Sequence, residues 1–455
     1  MAVAYSRAQL LALSSQPCCR LPPPSLLSWS RGLAFPALLH ARGVEETEDL
    51  VTKADVLKLL KYPSSEEDVN VVDEMTSTSP ALLCPVERGP EDLAARLEEL
   101  LDLVAIDEAQ LGSMEELVER IRRVLAPSFP SAAAEVYGSV GSGLGMLGCD
   151  LDMHVELGAA REGGEVEGRE AAEKVEELFL FHFSGNFRTA RAVTAASVPI
   201  VRVKDKLTGI RCDINPVNRM GVFNTKYIRF CCEFDPRVRK LLMIVKIFCS
   251  RHGISDSGRG DHLNNYTLVV MAIVYLQTQG VLHPLHQLQQ GLQPLRIDGH
   301  NFAFCPGASP LPSLRPNIST LVDLLEGFMD YMAYFPFSTH ALSPMAGREV
   351  AIASLRTGTN LPPCLAAREV RGLVDRPCAL VIQDPFELNR NLGQAVSSGR
   401  LAKMVEAFAR CSRLLLVMLE GGGTQEQLFT MMFEPGFPSF LLEFGSGEED
   451  SSAEG

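Results

Sequence analysis

The chain has 455 residues, of which 46% are hydrophobic, so it can bury a sizeable core and divide into two or three domains. Its formal net charge of −14 and its pI of about 5.2 exclude a protein-wide basic field of the kind that attracts nucleic acid. A nucleic-acid substrate would therefore need a local basic groove. The 12 cysteines include no zinc-ligand spacing, which favours reduced thiols in an intracellular protein.

Residues 1–43 have the composition of an organelle transit peptide. They contain no Asp or Glu, and the prolines at 22–24 interrupt the apolar core that a secretory signal needs. Their arginines are Arg7, Arg20, Arg31 and Arg42. We predict a mitochondrial location, with a nuclear or cytoplasmic one as the alternative. No membrane span is predicted, because the longest apolar stretch, 268–276, is far shorter than the roughly 20 residues of a spanning helix.

The composition of residues 44–88 predicts an acidic, flexible segment. Residues 89–130 are predicted to form a helical segment that packs with the central domain. Within that helical segment, the spacing of apolar residues indicates a first helix over 91–104. A second helix is expected to begin at Ser113, because Glu116 follows three residues later, as in a capping box.

Residues 131–220 predict a mixed α/β sheet domain. A short strand over 134–137 leads into a glycine-rich turn, and a second strand follows the turn. A helix over 170–181 and a hairpin of strands at 200–204 and 210–214 complete the domain.

Three carboxylates in this domain indicate a metal site. Asp150 and Asp152 project to one side of the second strand, because strand side chains alternate, and Asp213 lies on the hairpin. Such a set suits two divalent cations about 3.5–4 Å apart, which clamp the attacking and leaving oxygens of an in-line displacement. Gly138 and Ser139, in the preceding turn, would add backbone N–H groups and a hydroxyl for a phosphate chain. The aspartate pair alone is equally compatible with solvated carboxylates on an exposed strand.

The same stretch contains a competing motif. Gly143, Gly145 and Gly148 satisfy the G-x-G-x-x-G pattern of dinucleotide-binding folds. That pattern requires a helix directly after the glycines, with the pyrophosphate at its N-terminus. Here the following residues alternate in polarity and include two aspartates, so the dinucleotide interpretation is rejected.

Residues 221–420 predict a helical domain, and residues 421–455 a C-terminal tail. One helix of buried type carries Lys246, whose burial without an anionic partner would be costly. Asn264 or Asn265 would cap the next long helix. The elements expected in this region are helices over 238–249, 267–277, 321–332 and 401–419, and a loop over 339–379.

Four motifs occur in order between residues 90 and 410. They are GS…GCDLDM at 138–153, CDINPVNR at 212–219, LNNYTLV at 263–269 and IQDPFELNRNLG at 382–393. Together they resemble the poly(A) RNA polymerases and terminal uridylyltransferases of the DNA polymerase beta-like nucleotidyltransferase superfamily, most of all the animal mitochondrial poly(A) polymerases. The resemblance implies an α/β plus α architecture. A nucleotidyltransferase sheet domain would carry the three aspartates, and a helical PAP-associated domain would form the other wall of the cleft.

The resemblance also implies roles for individual residues. Asp150, Asp152 and Asp213 resemble the catalytic, metal-binding triad of the family. The nucleotide-binding residues that it implies are Gly138, Ser139, Asn218, Lys246, Asn265, Tyr266 and Arg390.

The resemblance assigns these residues to the triphosphate, the ribose and the base of the nucleotide. Ser139 and Lys246 would reach the triphosphate, and Asn218 would lie near the ribose. Tyr266, which follows Asn265, would stack on the base. From the residues alone, Tyr266 is equally a core tyrosine at a helix start, and Asn218 is equally a turn asparagine beside a proline.

Two positions depart from the family pattern. Ser250, four residues after Lys246, stands where members usually carry a second Lys or Arg, and Arg251 or Arg259 could substitute for it. Arg390 stands where uridylyltransferases usually carry His and mitochondrial adenylating relatives carry an apolar residue. An arginine presents donors only and can stack on, or bond to, either base. The choice between ATP and UTP is therefore left open by this position.

The activity implied by the resemblance is template-independent addition of nucleotides to an RNA 3′ end, with AMP from ATP as the main expectation. Two Mg²⁺ or Mn²⁺ ions would be the cofactors. The alternatives are uridylyl transfer from UTP and a catalytically weak RNA-binding scaffold, while a small aminoglycoside-like acceptor is disfavoured by the helical-domain motifs. With no separate RNA-binding module apparent, partners or a homodimer could supply processivity. The cations expected to hold the RNA are Arg229, Arg237, Arg239, Lys240 and Arg251.

Overall fold

The computed structural model describes most of the chain from residue 92 onward. The described ranges are 92–157, 159–160, 164–165, 168–181, 186–194, 198–255, 262–304, 314, 316–419, 429–430 and 432–433. The predicted leader at 1–43, the acidic segment at 44–88 and most of the tail at 421–455 lie outside these ranges. Within them, no helix is long and apolar enough to cross a membrane.

A five-stranded sheet forms the first part of the described chain. Its strands are β1 (Ala133–Tyr137), β2 (Leu151–Glu156), β5 (Phe187–Val193), β6 (Ile200–Asp205) and β7 (Arg211–Asn215), and a small hairpin of β3 (Ala159–Ala160) and β4 (Gly164–Glu165) follows β2. The strand order is β1-β2-β7-β6-β5. Strands β2 and β7 are parallel, and the other neighbours are antiparallel. The predicted strands and hairpin are confirmed, whereas β5 had not been predicted.

The helices in the described ranges are α1 (Asp92–Val104), α2 (Glu108–Leu125), α3 (Gly138–Gly141), α4 (Gly168–Phe181), α5 (Met220–Phe234), α6 (Pro236–Arg251), α7 (Asn265–Thr278), α8 (Leu285–Leu288), α9 (Leu321–Tyr334), α10 (Ile352–Thr357) and α11 (Ser398–Leu419). Two short hairpins interrupt them, formed by β8 (Arg296–Ile297) with β9 (His300–Asn301), and by β10 (His340–Ser343) with β11 (Arg348–Ala351). The prediction of a loop over 339–379 is therefore wrong. Neither β10 (HALS) nor β11 (REVA) alternates between polar and apolar residues, so periodicity gives no strand signal there.

The second predicted helix begins earlier than expected. Helix α2 starts at Glu108, because Asp107 accepts a 2.7 Å hydrogen bond from the backbone N–H of Gln110. Ser113 lies inside the helix, where its hydroxyl donates to the carbonyl oxygen of Ala109. The capping box predicted at Ser113 is therefore wrong, since the helix is capped by Asp107, six residues upstream.

Helices α2 and α4 cover one face of the sheet. The apolar residues that alternate along the strands, such as Met153, Val203 and Ile214, are fully buried against them. Because strand side chains alternate, Asp152, Arg202 and Asp213 are directed to the opposite face, whereas Asp205, at the end of β6, is buried on the helix-covered face. The face that bears Asp152 is open along β5 and β6, where Arg191 and Arg202 are exposed.

The helical region has a core of its own around α6 and α7. Asn264 caps α7, as predicted, by accepting a hydrogen bond from the N–H of Thr267. Leu93 and Leu97 of α1 belong to this helical core, whereas Leu117 of α2 belongs to the core beneath the sheet. The helical segment at 89–130, which was predicted to pack with the central domain, thus divides between two cores.

Candidate active site

The three aspartates lie together at the centre of the sheet. Strands β2 and β7 are parallel neighbours, and their register pairs Asp152 with Asp213. Asp150 lies immediately before β2, two residues from Asp152, so the alternation of side chains directs it to the same side. The structure thus brings together the three carboxylates that the sequence predicts as one group.

The environment of Asp152 is both enclosed and negatively charged. Burial, followed by the charges of Asp213 and Asp150, raises the pKa of Asp152 from 3.8 to about 7. Like charges at this spacing disfavour ionisation of the central carboxyl group. A cation placed among the three carboxylates would remove that penalty.

Two arginines on the same face contact the outer carboxylates. Arg202, on β6, donates two hydrogen bonds to Asp213, at 2.8 Å from Nε and at 2.7 Å from Nη2. Arg211, on β7, donates from Nε to Asp150 Oδ1 at 2.8 Å. The site is therefore a mixed array of acidic and basic groups rather than a purely acidic one.

The donor chemistry of this array suits Mg²⁺ or Mn²⁺, because carboxylate oxygens are the hard ligands that both ions prefer. Among the described residues, however, no group of three or more His, Cys, Asp or Glu side chains is arranged to hold a metal ion. In this arrangement two of the three carboxylates contact guanidinium groups, Asp213 that of Arg202 and Asp150 that of Arg211. Asp150, Asp152 and Asp213 remain the residues that could hold divalent ions.

Gly138 begins the turn directly beside Asp152. It has a φ of +70°, and a Cβ at this position would lie 2.0 Å from Asp152 Oδ2, so only glycine fits. Its N–H donates to Thr225 Oγ1 on α5 at 2.9 Å. Thr225 therefore attaches the glycine turn to the helical region, a role that no spacing in the sequence indicates.

Ser139, in the glycine turn, and Lys246, on α6, both form hydrogen bonds with the backbone of Leu144. The carbonyl oxygen of Ser139 accepts a 2.9 Å hydrogen bond from the N–H of Leu144. Lys246, on α6, is 4% exposed, and its Nζ donates to the carbonyl oxygen of Leu144 at 2.6 Å. Burial lowers the pKa of Lys246 to about 8. The lysine thus supports the turn that would carry a phosphate chain.

Asn218 forms hydrogen bonds within the protein that the sequence did not indicate. Its Oδ1 accepts from the N–H of Met220, and its carbonyl oxygen accepts from Asn215 Nδ2, so the side chain shapes the start of α5. A ribose contact by Asn218 stays a prediction. On the same helix, Asn224 has a buried Oδ1 with no hydrogen-bond partner in the described ranges, which makes it a second asparagine with free acceptor capacity.

A separate hydrogen-bonded group contains the residues predicted to contact the base. Tyr266, on α7, donates its hydroxyl to Asp384 Oδ2 at 3.1 Å. Asp384 is fully buried, and its Oδ1 accepts from the N–H groups of Phe386 and Glu387. Burial raises the pKa of Asp384, while those two bonds oppose the rise.

Arg390 joins this group through Glu387. Its Nη1 donates to Glu387 Oε1 at 2.7 Å, and its carbonyl oxygen accepts from the N–H of Asp384. Although burial opposes it, the charge of Glu387 raises the pKa of Arg390, so the guanidinium stays charged. Asn265, the first residue of α7, is exposed beside Tyr266. The structure therefore connects Tyr266 to Arg390, which are far apart in sequence.

The five cations predicted to hold RNA all have contacts within the protein. Arg229 pairs with Glu233, Arg237 with Asp235, and Lys240 with Glu98. Arg239 donates to the carbonyl oxygen of Gly143, and Arg251 to that of Phe433. Their positions on α5 and α6 are thus explained by packing, and their contact with RNA stays a prediction.

This geometry has counterparts among known proteins. The family described as "Poly(A) RNA polymerase, mitochondrial-like, central palm domain" matches residues 93–233, which include all three aspartates and the glycine turn. Over its sheet domain and beyond, the chain is similar to poly(A) RNA polymerases and to a terminal uridylyltransferase. The poly(A) RNA polymerase, mitochondrial, of Mus musculus is 25% identical over 86% of this chain and 67% of its own length.

Two further similarities extend this result. Terminal uridylyltransferase 4 of Mus musculus is 26% identical over 82% of this chain, but that region is only 24% of its own length. The crystal structure of the Cid1 poly(U) polymerase with Mg and 3′-dATP has a TM-score of 0.61 and 23% identity, covering 76% of this chain and 99% of that one. The polymerase beta-like fold is thereby confirmed. The chain spans about two thirds of the first relative and about a quarter of the second.

Proposed function

We propose that the protein is a template-independent RNA 3′-end nucleotidyltransferase that adds AMP from ATP. The observation that carries this proposal is the pairing of Asp152 with Asp213 in register, beside Asp150 and directly against Gly138. A carboxylate group adjoining a glycine turn is what phosphoryl transfer requires, because catalysis consists of positioning and charge neutralisation. The relatives are named as poly(A) RNA polymerases and uridylyltransferases, which supports the same class of reaction.

Each part of the site would have a distinct task. Asp150, Asp152 and Asp213 would hold two divalent cations, Mg²⁺ or Mn²⁺, which supply activation of the attacking oxygen and neutralisation of the phosphates. The backbone of the turn at Gly138 and Ser139 would position the triphosphate. Lys246 supports that turn through its hydrogen bond to the carbonyl oxygen of Leu144. Replacing Lys246 would therefore disturb the position of the phosphates.

The base would be chosen at the second group of residues. Tyr266 offers an aromatic ring for stacking, and its hydroxyl is held by Asp384. Arg390 offers donors only, and both adenine and uracil carry acceptors. UTP is therefore the second candidate substrate, supported by the names of Terminal uridylyltransferase 4 and the poly(U) polymerase Cid1.

The decisive experiment is single-nucleotide extension of a short RNA with each NTP in turn, in Mg²⁺ and in Mn²⁺. AMP addition by the wild type and none by Asp152→Asn is the expected result. Preferential incorporation of UMP would replace the adenylating proposal with the uridylylating one. Extension by Asp152→Ala at the wild-type rate would contradict the proposed chemistry and favour a binding scaffold.

We further propose a mitochondrial location and a boundary between the sheet domain, 131–220, and the helical domain, 221–420. The composition of residues 1–43 and the mitochondrial name of the first relative support the location. Residues 1–43 fused to a fluorescent reporter should direct it to mitochondria. A nuclear or cytoplasmic signal from that fusion would contradict the mitochondrial assignment.

A further inference from the structure

The open face of the sheet carries a group of cations that continues outward from the aspartates. In the antiparallel pair of β6 and β7, Arg202 lies opposite Asp213 and Lys204 lies opposite Arg211. In the next pair outward, Arg191 on β5 lies opposite Arg202. Residues directly opposite in an antiparallel pair share a face, so all four cations lie on the face that bears Asp213.

Within this group, Arg191 and Lys204 differ from Arg202 and Arg211 in their contacts. Arg202 and Arg211 are bound to Asp213 and Asp150, so part of their charge is already neutralised. The side chains of Arg191 and Lys204 form no ion pair and no hydrogen bond within the part of the chain that the structure describes. They are therefore available to an anionic ligand at no cost in existing contacts.

The distances suit an extended strand of nucleic acid. Strands β7 and β5 are separated by two strand spacings, about 10 Å, which corresponds to the phosphates of a few nucleotides. Thr189, opposite Lys204 on β5, is also exposed and adds a hydroxyl to the same face. Away from the aspartates, this surface presents positive charge and hydrogen-bond donors.

We propose that the open face of β5, β6 and β7 is the docking surface for the phosphodiester backbone of the acceptor RNA, with Lys204 and Arg191 as its principal contacts. This inference rests on the proposed function, because the reacting 3′ hydroxyl must lie at the aspartates. The polarity of the bound strand follows: its 3′ end lies over β2 and β7, and its upstream phosphates cross β6 toward the edge strand β5. The surface explains how a chain of net charge −14 holds RNA.

Charge reversal on the two faces of the sheet domain tests this surface. Lys204→Glu and Arg191→Glu place negative charge on the open face, whereas Lys174→Glu makes the same change on α4, beneath the opposite face. Binding is measured by fluorescence anisotropy of a labelled single-stranded RNA that ends in a 3′-deoxynucleotide, so no nucleotide is added. Thermal melting of each variant verifies that it is folded.

Lys204→Glu and Arg191→Glu should each weaken RNA binding by about tenfold and reduce the salt dependence, by about 0.7 in log–log slope per lost phosphate contact. Lys174→Glu should bind like the wild type. The KM for a dinucleotide acceptor, too short to reach β5, and the KM for the NTP should stay unchanged in Arg191→Glu. Wild-type affinity and salt slope in both open-face variants would overturn the proposal.

The outcome is separable from the test of the proposed function. Binding of a 3′-deoxy RNA requires no catalysis, so the surface can be confirmed or refuted whichever nucleotide is used. If the wild type extends RNA but the open-face variants bind as Lys174→Glu does, the docking surface is wrong and the nucleotidyltransferase proposal stands. If the wild type extends no RNA with any NTP, the function itself is wrong.

Discussion

Arg211 Nε lies 2.8 Å from Asp150 Oδ1, so a cation from one strand contacts a proposed metal ligand at the start of its neighbour. Arg202 makes the equivalent contact with Asp213. Both arginines are about half exposed. A divalent ion that binds these aspartates must compete with the two guanidinium groups, so the affinity of the site for metal depends on residues that are not ligands.

Arg211→Gln should therefore bind Mn²⁺ more tightly than the wild type does in the absence of nucleotide. The substitution removes one positive charge and frees Asp150. Because exposed ion pairs contribute little, the expected gain is about two- to fivefold in affinity, or roughly 0.5–1 kcal/mol. Isothermal titration or electron paramagnetic resonance measures it directly. Arg296→Gln, a change of an exposed arginine on β8, is the matched control, and equal Mn²⁺ affinity in both variants would refute the competition.

Gly138 and Gly209 provide a matched pair for the glycine turn. Both have positive φ, +70° and +73°, so Ala at either position should cost about 1–2 kcal/mol of folding stability through the backbone. A Cβ at Gly209 has nothing within 4 Å, whereas one at Gly138 would meet Asp152 Oδ2. We expect Gly209→Ala to keep its activity and Gly138→Ala to lose it. Thermal melting and extension rates measure the two effects, and full activity in Gly138→Ala would show that the close approach to Asp152 is unimportant.

The raised pKa of Asp152 predicts how stability depends on pH. Between pH 3.8 and about 7 the folded protein holds a proton on Asp152 that the unfolded chain has lost. The free energy of unfolding of the metal-free protein should therefore fall as the pH rises through that interval. Asp152→Asn should lack this contribution, and added Mg²⁺ should restore the wild type above pH 7. Denaturant titrations at several pH values check the slope, and a wild-type profile identical to that of Asp152→Asn would contradict it.

Much of the site could be predicted from local sequence because its geometry is local. Alternation along one strand places Asp150 and Asp152 together, and the glycine turn that precedes them needs no distant partner. These two inferences depend on strand periodicity and turn chemistry, which a sequence displays directly. The pairing of Asp152 with Asp213 also required that β7 be the direct parallel neighbour of β2, which periodicity does not show.

The features that the sequence did not indicate depend on contacts between distant elements. Thr225 bonds Gly138 across 87 positions of sequence, and no periodicity reveals such a partner. The unforeseen strand β5 brings Arg191 beside Arg202, and so creates the cationic surface. Arg239 donates from Nε to the carbonyl oxygen of Gly143, a contact between distant residues that no spacing in the sequence indicates.

Lys246 and Lys240 lie on the same helix, α6, and allow the support of the turn to be tested. Lys246 is buried and donates to Leu144, whereas Lys240 is partly exposed and pairs with Glu98. Lys246→Met keeps the apolar stem but removes the hydrogen bond that holds the turn, so the KM for the NTP should rise by about tenfold, since a hydrogen bond from a charged donor contributes about 1.5 kcal/mol or more.

Lys240→Met, at a distance from the turn, should leave the KM for the NTP within about twofold of the wild type, as expected for an exposed pair. The dissociation constant for 3′-deoxy RNA should be unchanged in Lys246→Met, because Lys246 is buried on α6 and does not lie on the open face of β5 and β6. Steady-state kinetics with varied NTP, together with RNA anisotropy, separates the two effects. An unchanged KM in Lys246→Met would mean that the turn keeps its shape without the lysine, and that the side chain serves only the helical core.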